Sequence, residues 1–230
     1  MGNRVADVPP HDTVTRVLQA AEDLFAELGV AGASVRQITA RAGVNIASVN
    51  YHFGSKDQLA ERVFERVITR VTAERMVRLE RIRAQARAKD QPPDLALIVS
   101  AFLEPYLGDG NEAQGALMGR FILMHRLTPN PATTRIVQEH LNPLAAAYVE
   151  AFGAACPKLS TTDRVWRYLM MVSAIVLTSA EDRSTDRVSL LTEGSATIED
   201  RAAMRDAMVR FLVGALGMDD DVAFVPGAGL

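Results

Sequence analysis

At 230 residues, 48% of them apolar, the chain exceeds one minimal domain and can bury a substantial core. Its single cysteine, Cys156, excludes an internal disulfide framework, and the opening MGNRVADVPPHD carries charges and prolines where a secretory leader needs an apolar run, so a soluble cytoplasmic protein is expected. The net charge of −3 is unevenly split, with 14 basic and 11 acidic residues in 1–90 against 11 and 17 in 91–230, a gradient too mild to indicate nucleic acid by itself.

No strand-like alternation is sustained, which predicts an all-α protein, and the most apolar stretch, 168–180, is too short to span a membrane. Residues 1–11 read as mobile; a minor-groove contact by Arg4 is the less favoured alternative. The first helix is expected to start near Asp12 or Thr13. Val14, Val17, Leu18, Ala21, Leu24, Phe25 and Leu28 then recur at helical spacing, and Gly29 ends the run. A second helix is predicted from Ser34, with Gln37 placed to complete a capping box, Val35, Ile38 and Ala42 as its apolar stripe, and Gly43 as the turn. A third starts at once, with Asn45 as N-cap, Val49 and Phe53 as its buried pair, and Gly54 as its end.

Two helical turns that polar do not persist unaided, because nucleation costs more than they return. Helix, glycine turn and short second helix form the helix-turn-helix pattern, whose second helix enters the DNA major groove. Asn45, Ile46, Ser48, Asn50, Tyr51 and His52 offer groups suited to base edges and a thymine methyl. Ser34, Arg36 and Gln37 are further candidate DNA contacts, and Lys56 is the candidate phosphate partner.

Residues 34–59, preceded by LFAELGV, closely resemble the DNA-binding domain of TetR-family transcriptional regulators. Ser34, Ile38, Ala42, Gly43, Val44, Phe53 and Lys56 match the family pattern. Thr39 stands where Ala is usual, Asn45 where Ser or Thr is usual, and Asn50 where Tyr is usual; the resemblance carries the tyrosine's phosphate role to Tyr51.

From Asp57 a long helical pattern runs to about Ala88, and its many arginines, interleaved with glutamates at pairing distance, read as a solvated face. KDQPPD at 89–94 breaks it. Helices are expected over 95–107, 112–127, 132–155, from Thr161 or Thr162 to about Ser179, and from Thr197 to Leu216 with Asp200 as a capping-box partner. GDGN at 108–111 reads as a turn, 181–195 as a loop within which 188–191 is apolar enough to pack, and 218–230 as a disordered tail.

Val172, Ile175, Val176 and Ser179, with Met204, Met208, Phe211, Leu212 and Ala215, form apolar faces in surplus of one core, which suggests burial against a second copy. The resemblance likewise implies a four-helix dimer interface from the last two helices. Phe102, Leu117, Phe121, His125, Tyr148, Trp166, Met170 and Ser173 are the candidate lining of an effector pocket, with ordinary core as the plainer reading of each.

The resemblance implies a regulator with an N-terminal helix-turn-helix domain at 1–57 and a C-terminal helical effector-binding and dimerisation domain at 58–217. Such a protein binds palindromic operator DNA as a homodimer, represses transcription, and is released by a small hydrophobic effector. VNIASVNYHFGSK and AACPKLS…RVWRYLMMVSA resemble regulators of lipid metabolism, which points to an acyl compound. The alternatives are an effector-independent architectural DNA binder and a regulator controlled by a protein partner. No cofactor or metal is expected, because His11, His52, His125, His140 and Cys156 lack ligand spacing, and no phosphate loop or other catalytic constellation is found.

Overall fold

A computed structural model describes residues 10–107, 112–179 and 186–217. The readings of 1–9, of GDGN, of 181–185 and of the tail lie outside the described residues. Those that are described fold into helices without a strand. Helix α1 is Pro10–Gly32, starting two residues before the expected Asp12, and Gly29 interrupts it at φ 71° and ψ 165°. Helix α2 (Val35–Ala42) opens on the expected capping box: Ser34 Oγ accepts from the Gln37 N–H at 3.2 Å, and Gln37 Oε1 accepts from the Ser34 N–H at 2.9 Å. Gly43 then turns the chain at φ 63°, where a β-carbon would sit 2.6 Å from the Arg16 guanidinium. Asn45 caps α3 (Ile46–Phe53) by accepting from the Ala47 N–H at 3.0 Å.

Helix α4 (Lys56–Ala88) has 33 residues and spans on the order of 50 Å. Val17, Phe25, Ile38, Val49 and Phe53 of the first three helices pack in one unbroken cluster with Leu59, Val63 and Phe64 of α4. The short α3 is thereby braced on two sides, which supplies the stability its length denies it.

The body is built from α5 (Leu95–Leu107), α6 (Glu112–Leu127), α7 (Pro131–Ile136), α8 (Asn142–Ala155), α9 (Thr161–Ser179), α10 (Arg187–Leu191) and α11 (Arg201–Gly217). Phe64 stacks on Phe121 at 5.1 Å, while Phe102 meets Tyr148 and Tyr168 edge-on at 4.9 and 5.9 Å. Among the described residues no helix is long and apolar enough to cross a membrane.

Three expectations need correction. The continuous helix over 132–155 contains a π turn, Val137–Leu141, closed by the Asn142 N–H on the Val137 carbonyl. Pro143 explains it, since a proline has no N–H for the Glu139 carbonyl and its ring would crowd that oxygen in an α-helix. The last helix begins at Arg201, with Asp200 as its cap accepting from the Ala203 N–H at 3.0 Å; Thr197 instead donates to Asp186 at 2.6 Å. Finally, α10 lies within the stretch read as loop. Asp186 nucleates it by accepting from the Ser189 N–H at 2.9 Å, and the hydrogen bond from Thr197 holds the Asp186 carboxyl below its usual range.

Candidate nucleic-acid interface

Val49 and Phe53 face inward on α3, leaving Ile46, Ala47, Asn50 and Tyr51 on the opposite side in solvent. Tyr51 is 86% exposed, with its ring edge-on to His52 at 5.0 Å. Asn45 spends its side-chain oxygen on the cap, and Ser48 and His52 flank the exposed face half-buried. Ser34 and Gln37 spend side-chain atoms on each other, whereas Arg36 is exposed beside them. The unusual Thr39 is buried and donates to the Arg36 carbonyl at 3.0 Å, so its hydroxyl is satisfied within α2.

Lys56, the candidate phosphate partner, is engaged within the protein. Its ammonium turns inward onto the Val30, Ala31 and Ala33 carbonyls at 3.0, 3.5 and 3.1 Å, capping the negative end of α1. Arg41 is also engaged, donating twice to Glu27 at 2.7 and 3.0 Å, and that pairing holds the Glu27 carboxyl low. Arg16 and Arg36 are left as the cations nearest the turn, with Arg16 3.4 Å from the Gly43 carbonyl.

A cleft-like cavity of about 230 Å³ lies between α4, α5, α6, the π turn, α8 and α9, with the exposed Arg126, Asn142 and Leu169 in its lining. Of the candidate lining residues, Phe102 and His125 border it, and His125 Nδ1 is hydrogen-bonded with Thr133 Oγ1 at 2.9 Å. The other expected lining residues lie elsewhere. Leu117, Phe121 and Tyr148 are core; the Tyr148 hydroxyl has no partner, and burial pushes its pKa up to about 12. Trp166, Met170 and Ser173 point out of the body on α9, with Trp166 58% and Met170 65% exposed. Val172, Ile175, Val176 and Ser179 form the α9 face that the protein's own core takes up. The α9 residues expected to line the pocket thus form the outward face of that helix. This face, continued by Leu177 and by Phe211 of α11, carries the exposed apolar surface.

The periodicity of α4 did not single out Arg75, yet it is buried and lines the cavity, donating to the Phe102 carbonyl at 2.7 Å. Its neighbours four residues away, Val71 and Leu79, are both core, and this spacing was the available signal. Glu22 is a second buried charge. It accepts from Arg70 at 2.6 Å and from Gln114 at 3.2 Å, with Arg66 at 3.8 Å, joining α1 to α4 and α6. Glu65, Glu139 and His140 bring ligand atoms within 4.8 Å of one another, a grouping that spacing did not suggest; Arg135 bridges both carboxylates at 3.1 and 2.8 Å, making it an ion-pair cluster.

A short helix with its polar side bare, braced from behind and entered through a tight glycine turn, defines a helix-turn-helix protein. Residues 100–215, half of the chain, match the family described as Tetracyclin repressor-like, C-terminal domain, and residues 17–63 match Bacterial regulatory proteins, tetR family. The chain belongs to the TetR family, whose members are transcriptional regulators and not enzymes. It is 48% identical over 61 residues to the HTH-type transcriptional repressor Rv3405c of Mycobacterium tuberculosis, a match over 26% of this chain and 32% of that protein. The chain thus spans about a third of the length of the curated relatives it matches. Similar solved structures include a transcriptional regulator from Rhodococcus sp. Rha1, with 18% identity, 90% and 98% of the two chains covered, and TM-score 0.56. The fatty acid degradation regulator FadR from Bacillus halodurans is another, at 16% identity, 87% and 94% coverage, and TM-score 0.56.

Proposed function

We propose that the protein is a homodimeric repressor that reads palindromic operator DNA with α3 and is released when a small molecule fills the body cavity. The observation that carries the reading is the solvent face of α3. Asn50, Tyr51 and Ile46 stand exposed on a helix whose other face is fixed by Val49 and Phe53, the geometry a major-groove reader requires. Residues up to 57 act as the reading head, and 58–217 as the effector-binding and dimerisation body.

One two-turn helix reads few bases, so two copies set about one turn of DNA apart supply the specificity. The outward face of α9 and α11, with Trp166, Met170, Leu177 and Phe211 exposed, supports pairing there. Release is a population shift in which the ligand prefers the protomer arrangement that mismatches successive grooves. Besides the long α4, helix α6 joins cavity to head. Ile122, His125 and Arg126 line the cavity, Arg120 donates to the Ala26 carbonyl of α1 at 3.3 Å, and Gln114 reaches Glu22. A cavity of about 230 Å³ favours a compact effector over a long acyl chain, being below the ~300–1,000 Å³ of drug-sized sites.

The test is selection of genomic fragments by the purified protein, followed by anisotropy titrations on the recovered duplex and a scrambled one. A palindromic consensus bound by two protomers is expected; equal affinity for both duplexes would overturn the reading.

A further inference from the structure

A guanidinium stays charged inside a protein, and taking one out of water costs several kcal/mol unless an opposite charge accompanies it. Arg75 is 1% exposed, and among the described residues no carboxylate pairs with it. Its compensation is the Phe102 carbonyl at 2.7 Å, a side-chain hydrogen bond with Tyr106 and two ring faces, with the guanidinium carbon 4.0 Å from the Phe102 centroid and 4.8 Å from that of Tyr106. Its Nε–H has no hydrogen-bond partner. Glu22 shows how this chain treats a buried charge elsewhere, with two arginines and an amide drawn around it. Arg75 is left a cation short of an anion, and it lines a cavity.

The remaining walls tell what the missing partner carries. Phe102, Tyr106 and Tyr168 are aromatic, and Arg126, exposed and held by Ser173 at 3.0 Å, adds a second positive charge. Among the described residues no acidic side chain lines the cavity. We infer that the cavity takes a small organic carboxylate, its anionic group against Arg75 and its compact apolar body, an aromatic ring or short chain, against Phe102, Tyr106 and Tyr168. This rests on the reading of the cavity as the effector site and names the chemistry it selects. A neutral molecule of the same shape leaves the Arg75 charge uncompensated and gains only the apolar contact.

The test uses the full chain with sodium benzoate and sodium octanoate as probes, set against benzamide, octanamide and sodium chloride at equal ionic strength. Thermal unfolding is followed in parallel with release of the selected operator. The acids are expected to raise the midpoint saturably, by about 2–4 °C, whereas the amides and chloride leave it unchanged. Arg75→Met, which keeps an unbranched apolar stem, is expected to lose the response to acids while the ligand-free midpoint holds or rises, since an uncompensated charge has been removed. Amides matching acids on the wild type, no shift with either acid, or an acid response surviving in Arg75→Met would each overturn the proposal. The wild-type comparison decides it even if the variant does not fold. Acid stabilisation without operator release upholds the carboxylate site and overturns the effector reading, whereas operator release by the amides alone does the reverse.

Discussion

Asn50 and Tyr51 stand exposed on α3, outside the core, so their removal separates recognition from folding. Asn50→Ala is expected to leave the unfolding midpoint unchanged and to weaken the selected operator by about 5- to 150-fold, the worth of one good base contact, while scrambled duplex is bound as before. Anisotropy on both duplexes checks this. Lys56 belongs to the fold as capping group for α1, and Lys56→Met should lower the unfolding midpoint while the slope of log affinity against log salt stays that of the wild type; a slope reduced by about one would restore the phosphate role. Tyr148 offers a contrast inside the body. Burial raises its pKa from 10 to about 12, so its contribution to stability is full below about pH 10 and is lost as pH climbs toward 12, and burial drives Tyr106 and Tyr168 in the same direction. Tyr148→Phe removes an unpartnered hydroxyl and should gain about 1 kcal/mol at neutral pH while shifting alkaline unfolding upward, as circular dichroism across a pH series would record.

At the scale of helices, the parts written in local chemistry were legible and the parts decided by neighbours were not. Ser34 with Gln37, Gly43, Asn45 and Gly54 are caps and turns whose rules operate within a few residues, and each stands where the pattern put it. Helix α9 is apolar on both sides, Tyr168, Met171 and Ile175 on one and Trp166, Met170 and Leu177 on the other, so periodicity could not tell inward from outward. Only packing sorted the two, which is why the α9 residues expected in the pocket stand on its outward face. Arg75 was hidden in a run of similar arginines and betrayed only by Val71 and Leu79 beside it. Contact between α6 and α1 through Glu22 was invisible as well, because Gln114 lies 92 residues from it. Glu22→Gln keeps the shape and removes the charge that Arg66 and Arg70 share. It should lower stability by about 1–3 kcal/mol, the half-exposed arginines being partly screened, and should reduce the effect of any releasing ligand on operator affinity. Denaturant titration and ligand-dependent anisotropy measure the two effects separately.

For the whole molecule, the apolar outer face of α9 and α11 sets the expected assembly. Met170→Glu combined with Phe211→Glu alters exposed positions only and should yield a monomer of unchanged helicity in sedimentation velocity, with operator affinity down by at least about 100-fold through loss of the paired half-site. A dimer persisting in that variant would move the interface elsewhere. The core that runs without a seam from Val17 and Phe25 through Leu59, Val63 and Phe64 to Phe121 bears on how the parts can be recombined. The head does not end where its motif ends. A chimera that grafts this DNA-reading unit onto a foreign sensor by cutting after Asp57 would strip away the residues of α4 that brace α3, whereas a junction beyond Val71 carries them along.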